Sequence, residues 1–163
     1  MFFIEAMYLI RIVLAGICGV FVGYERKNRG KGAGVRTHMM VALASALMMV
    51  VSKYGFTDTV GADPSRVAST IVTGVGFLGA GIIYVHNRNV LGLTTAAGIW
   101  ATVGIGMAIG AGMYIIGIFS AVIVVLAQIV LHKNLPVMHM PAEEHLKFII
   151  ENRKDAVDAL KVF

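Results

Sequence analysis

Two charged residues mark the first long apolar run. Arg11 lies about two turns inside it, and Glu25 directly follows it. A guanidinium in hydrocarbon is costly and marks a functional residue with a partner, unless it snorkels to the interface. Arg11, Cys18 and Glu25 are spaced seven apart and share roughly one helix face. Arg11 and Glu25 are themselves about 21 Å apart along a helix, too far to pair, so each needs a partner from elsewhere. Glu25 reads either as a helix-end carboxylate paired with Arg26 or Arg29, or as a carboxylate at the mouth of a bundle. Asp63-Pro64-Ser65-Arg66 reads first as a helix start, with Asp as cap and Pro at the first helical position. The hydroxyls of Thr73, Thr94 and Thr95 sit in or beside apolar runs and could line a polar path.

What these residues cannot form narrows the chemistry. No Asp or Glu lies near the middle of an apolar run, and magnesium prefers carboxylate oxygens with retained waters. His132, His139 and His145 are too loosely spaced for a zinc site. No catalytic triad or metal-ligand constellation stands out, so no catalytic, metal or cofactor residue is assigned and the expectation is a protein that is not an enzyme. Gly74-Val75-Gly76-Phe77-Leu78-Gly79 has the dinucleotide spacing but sits inside an apolar run with no acid until Glu143. Gly30–Gly34 lacks the spacing and the hydroxyl of a phosphate loop.

The elements that must position these residues are membrane spans. Of 163 residues, 58% are hydrophobic and 14% charged. From Val90 to Leu131 no acidic, basic or His residue occurs over 42 positions. That is about 63 Å of helix, roughly twice a 30 Å hydrocarbon core, and requires two spans. The chain is expected to be an all-α membrane protein. It is a bundle of about five transmembrane helices near residues 4–24, 37–53, 67–85, 91–109 and 113–131. A polar loop at 86–89 separates the third from the fourth. Residues 1–132 form the membrane domain. Residues 133–163 form a linker and a short strand-helix segment on the cytoplasmic side.

The net charge of +5 lies mainly between spans, which the positive-inside rule explains without nucleic acid as a partner. Five basic residues in the loop after the first run place that loop, the third loop and the carboxyl terminus in the cytoplasm, with the amino terminus outside. Arg26, Lys27, Arg29 and Lys31 suit anionic lipid head groups at the 25–38 loop, with an acidic protein partner as the alternative. Cys18 is the only cysteine, so no disulfide forms within the chain.

Small residues mark helix contacts in lipid, where backbones must approach closely. Ala15, Gly19 and Gly23 step along the first run. Ser69, Thr73, Gly76 and Ala80 step along the third, which also holds Gly74, Gly79 and Gly81. Ala97, Ala101, Gly104, Ala108 and Ala111 step along the fourth. These stripes are expected to be packing faces, within the chain, in a homo-oligomer or against another membrane protein.

In order along the chain come Gly23-Tyr24-Glu25-Arg26, Gly34-Val35-Arg36-Thr37-His38-Met39, Asp63-Pro64-Ser65-Arg66, Gly74–Gly81, and Gly92-Leu93-Thr94-Thr95-Ala96-Ala97 with Trp100. Together they resemble the MgtC/SapB family of bacterial inner-membrane proteins over about residues 8–130. The resemblance implies a membrane regulator linked to low-magnesium stress and virulence, which in some members restrains the ATP synthase. The family's motif positions fall on Glu25, Arg26, Arg36, Thr37, Asp63, Arg66, Thr73, Gly74, Thr94 and Thr95. Longer members carry an ACT-like domain, of which residues 142–163 would supply a first strand and helix. A transporter or channel for magnesium or another cation is the rival reading, on Arg11, the glycine-rich third and fourth runs and the three threonines.

Overall fold

A computed structural model describes residues 2–30, 32–86 and 89–132. Five α-helices appear among the described residues: α1 Phe2–Asn28, α2 Val35–Tyr54, α3 Ser65–Ile82, α4 Leu93–Gly110 and α5 Tyr114–His132. Each is long and apolar enough to cross a membrane. The chain is therefore an all-α membrane protein with five candidate spans. The expected strand-helix segment at 133–163, and its ACT-like reading, lie outside the described residues.

Backbone proximity organises the bundle. A Cβ on Gly19 would stand 2.6 Å from the His38 carbonyl oxygen, and one on Gly23 2.6 Å from the Val35 Cα. Both glycines, with Ala15, thus carry α1 against α2. On α4 a Cβ at Gly106 would stand 2.6 Å from the Ala42 carbonyl oxygen, and one at Gly110 2.6 Å from that of Ala46. These contacts use van der Waals fit, the force left to helices once lipid has replaced water. Around them two apolar clusters form. Ala15, Cys18, Val22, Ala46, Ile105 and Ile109 belong to one, and Ala33, Ile71, Val75, Ile99 and Val103 make the other. Ser45 and Thr102 are buried too, and each donates its hydroxyl to a carbonyl of its own helix.

Three expectations change. The stripe expected on α4 occupies the wrong face for packing within the chain. Ala97 and Gly104 are exposed, Ala101 and Ala108 half-buried, and Gly104 has no neighbour in reach. The face that meets α2 is Gly98, Thr102, Gly106 and Gly110, also at four-residue steps, and a helix small on two faces does not reveal from spacing alone which one is used. On α3, Ser69, Thr73, Gly76, Ala80 and Gly81 are exposed, and Gly76 and Gly81 face open space, while Gly74 borders a groove of about 520 Å³ against Met40, Val41 and Ala44 of α2. Only Ile71 and Val75 of α3 are buried, and Gly79 meets the Ala96 Cβ. The third change is at residues 84–91. In place of a polar loop, Tyr84–His86 (β1) pairs antiparallel with Asn89–Leu91 (β2), so Val85 and Leu91 leave the spans assigned to them. Gly92 closes this hairpin at φ +90°, hard against the Ile82 carbonyl oxygen, where a side chain would not fit.

Gly106→Ala should therefore lower the thermal unfolding temperature in detergent by the equivalent of about 2 kcal/mol, since backbone must move to admit the methyl. Gly104→Ala should leave it unchanged to within about 0.5 kcal/mol or raise it slightly. Equal effects of the two would contradict packing of α4 on α2 through its Gly106 face.

Candidate functional site

The two charged residues of α1 end in opposite circumstances. Arg11 is 8% exposed and lies where α2 and α4 end and α5 begins. Its Nε donates to the Tyr114 hydroxyl at 2.9 Å, and its Nη1 donates to the Tyr54 hydroxyl at 2.8 Å and to the Gly110 carbonyl at 3.3 Å. The rings of Tyr8, Tyr54 and Tyr114 stand 5.2–5.7 Å from the guanidinium carbon. Tyr8 and Tyr54 stack on each other at 4.6 Å. Lys53 adds a second cation, donating to the Ala111 carbonyl at 2.8 Å. Positive charge here meets the C-terminal ends of two helices, where the macrodipole favours it. Its contacts are two tyrosine hydroxyls, three aromatic faces and one helix-end carbonyl, and none is a carboxylate.

The other end of α1 is a mixed polar pocket. Glu25 is 8% exposed and Arg26 5%, because the last turns of α1 are enclosed by the starts of α2 and α4 and the end of α5. Glu25 accepts from Arg29 through Oε1 as an i,i+4 ion pair. Arg26 Nη2 donates to Thr95 Oγ1 at 3.1 Å. His38 is fully buried, with Nδ1 3.0 Å from the Gly34 carbonyl oxygen. A carbonyl only accepts, so Nδ1 carries a proton and the neutral ring keeps its lone pair on Nε2. A Cβ at Gly98 would lie 3.5 Å from His38 Nε2 and 3.6 Å from Gln128 Nε2, so glycine here is what admits both side chains.

Four buried atoms in this pocket have no partner among the described residues: Glu25 Oε2, Arg26 Nε, His38 Nε2 and Gln128 Oε1. Each unmade bond costs about 1–3 kcal/mol. A cavity of about 340 Å³ is lined by three of these four residues, Glu25, Arg26 and Gln128, together with Arg29, Thr94 and Gly98, and runs down between α4 and α5. With two guanidiniums, one carboxylate and a neutral imidazole, the pocket favours an anionic or zwitterionic group over a bare divalent cation. No cluster of three or more His, Cys, Asp or Glu residues that could hold a metal occurs among the described residues.

Of the residues singled out in sequence, the structure brings Glu25, Arg26, Thr94 and Thr95 together. Arg36 and Thr37 lie near this pocket along the chain but point outward. Asp63, Arg66 and Thr73 are exposed on α3 and its approach, apart from it. His38 and Gln128 were missed. Gln128 had a signal, being the only amide side chain between Val90 and Leu131. Asp63 organises the start of α3: its Oδ1 accepts the Ser65 N–H at 2.8 Å and the Ser65 hydroxyl at 2.7 Å. The helix begins at Ser65, one residue after the proline. The Ser65 hydroxyl, then its N–H, hold the Asp63 carboxyl below the usual carboxylate range, with Arg66 adding to the effect.

A bundle of membrane-crossing helices tied together at one end by an aromatic-caged arginine, and left polar and unpaired at the other, is a multi-pass membrane protein with an internal polar pocket. The MgtC family profile matches residues 12–135, and the chain belongs to this family. It is 51% identical over 152 residues to the Putative magnesium transporter YhiD of Escherichia coli strain K12, covering 90% of this chain and 70% of that protein. It is 33% identical over 154 residues to Protein MgtC of Salmonella typhi and 37% identical over 131 to Protein MgtC of Brucella abortus strain 2308. These matches take in 91% and 79% of this chain, and the chain spans 65% and 54% of those two proteins. No solved structure matches the chain.

Two outcomes test these ends. Arg11→Leu should lower stability in detergent by about 2–3 kcal/mol, since it strips three acceptors of their donor. Unchanged unfolding would show that the cage is decorative. For Asp63, the folded pKa lies below that of the unfolded chain, so its contribution is full above about 3.8 and is lost as pH falls through the lower folded value. The Ser65 amide resonance should titrate with a midpoint below 3.8 and cease to titrate in Asp63→Asn.

Proposed function

We propose that the chain is a non-enzymatic membrane regulator of the low-magnesium and stress response, acting by lateral contact with partner membrane proteins. The observation that carries this reading is the outward face of α3. Ser69, Thr73, Gly76 and Ala80 share one exposed face, and Gly76 faces open space. Small residues with no neighbour inside the chain leave room for another helix to approach to backbone distance. Ala97 and Gly104 extend the same property to α4. Partners of this kind are a second copy of the chain or a membrane complex such as the ATP synthase.

The bundle lies in the bacterial inner membrane. On this reading the basic 25–38 loop and residues 133–163 are cytoplasmic, the amino terminus is outside, and the loop contacts anionic lipids. Residues 1–132 are the membrane domain and 133–163 a separate cytoplasmic segment. The filling between the two polar ends supports a regulator over a conduit. Val22, Ile99, Ile105 and Ile109 are each no more than 2% exposed and leave an apolar layer between Arg11 and Glu25.

A photocrosslinker at Thr73 or Ala80, in native membranes, should capture a discrete membrane protein, whereas one at Phe2 should not. In liposomes the purified chain should pass magnesium, protons and potassium no faster than empty vesicles do. Flux above that background, reduced by Thr94→Val, would replace the regulator with a transporter.

A further inference from the structure

We propose that the pocket at the Glu25 end holds the headgroup of a phospholipid carrying a primary amine, a phosphoethanolamine group, with the lipid's acyl chain lying between α4 and α5. The inference is independent of the regulator reading. It starts from the four buried atoms left without partners, which divide by chemistry. Arg26 Nε is a donor, and Arg29 and Thr94 line the same cavity. Glu25 Oε2 and Gln128 Oε1, both on lining residues, are acceptors, while His38 Nε2, an acceptor in the tautomer fixed by Gly34, belongs to no lining residue. One ammonium has three N–H donors, and one phosphate diester has anionic oxygens for guanidinium and hydroxyl. A simple anion would leave the two lining acceptors unmatched, and a metal cation would meet Arg26 and Arg29. A zwitterion with its two groups joined by a short ethylene link answers both halves.

The shape of the cavity selects a lipid over a soluble ligand. Its polar part lies at the helix ends, with Thr94 the second residue of α4, at the level where head groups reside. Its other part descends past Ala97, Ala101, Val124 and Ala127, which are apolar and small enough to leave a trough. Thr94 to Ala101 covers about 10 Å of helix. Ala97, Ala127 and Leu131 lie on the bundle's flank, so the trough opens sideways into the bilayer.

Native mass spectrometry of the full chain released from nanodiscs tests this directly. Nanodiscs would hold equal amounts of phosphatidylethanolamine, phosphatidylcholine and phosphatidylglycerol with identical acyl chains. Phosphatidylethanolamine should be retained about tenfold over phosphatidylcholine, whose quaternary nitrogen has no N–H to give. It should also exceed phosphatidylglycerol, which lacks the ammonium. Gln128→Leu and Glu25→Gln should each reduce the preference severalfold. Gln128→Leu keeps an apolar side chain of similar length, and thermal unfolding of both variants checks that they fold; should Glu25→Gln fail, Gln128→Leu decides alone. Equal retention of the three lipids, a preference for phosphatidylglycerol, or a preference unchanged in the folded variants would overturn the assignment. So would saturable binding of soluble phosphoethanolamine with no lipid retained, which would make the ligand a soluble one.

Discussion

Backbone-to-backbone approach of α1, α2 and α4 is the constraint on which the rest of the bundle depends. Gly19 and Gly23 on α1, and Gly106 and Gly110 on α4, each leave no room for a methyl group. Both helices therefore press on α2, one along His38 and Ala42, the other along Ala42 and Ala46. In lipid there is no water to expel, so this fit has to be built atom by atom. Once it is built, the positions of the polar side chains follow. Closing α4 on α2 brings Thr95 to Arg26 at one end and the Gly110 carbonyl to Arg11 at the other.

The two ends of α1 show what the same helix does with polarity in two ways. At Arg11 the charge is answered within the chain, by hydroxyls, ring faces and a helix-terminal carbonyl, and the result is a clamp on three helix ends. At Arg26 one guanidinium nitrogen is answered by Thr95, while its Nε and the neighbouring Glu25, His38 and Gln128 each keep an open atom. A structural network would be expected to close, since a half-satisfied one costs more than an apolar core. The asymmetry assigns structure to the first cluster and binding to the second. Arg29 fits the same division: it holds one Glu25 oxygen and leaves the other buried without a partner.

Much of the fold was legible in the sequence because length and apolarity are strong constraints in a bilayer. The uncharged run from Val90 to Leu131 forced two spans, and Gly110-Ala111-Gly112 marked their junction; the turn falls there, with Gly112 at φ +90° beside the Arg11 guanidinium. The hairpin at 84–91 was not legible, since Tyr84-Val85 and Val90-Leu91 read equally well as ends of apolar spans. Of the site, Glu25 and Arg26 were legible by their charge, and Thr94 and Thr95 through a family motif. His38 was hidden inside a separate motif, Gly34-Val35-Arg36-Thr37-His38-Met39. The choice between faces on α4 was beyond reach of spacing, because Ala97, Ala101 and Gly104 are as small as Gly98, Thr102 and Gly106. What decides it is the register of α2, a tertiary fact.

The loose seating of α3 has a cause and a consequence. It is bound mainly at its ends. Ser52 donates to the Pro64 carbonyl and accepts the Ala68 N–H at 3.1 Å at one end, and Gly92 closes against Ile82 at the other. Between them only Ile71 and Val75 reach the core. A helix that needed only lipid as its neighbour would gain from large apolar side chains along its outer face, which fill space against acyl chains. Phe77, Leu78 and Val72 provide that on part of the surface. The glycines and hydroxyls at 69, 73, 74, 76 and 81 do the reverse: they thin the helix, and glycine costs about 1 kcal/mol of helix propensity apiece in a water-based scale. Such a face is worth its cost where a second helix comes close enough to use it, and α3, anchored at both ends and through Ile71 and Val75, presents that face away from the core.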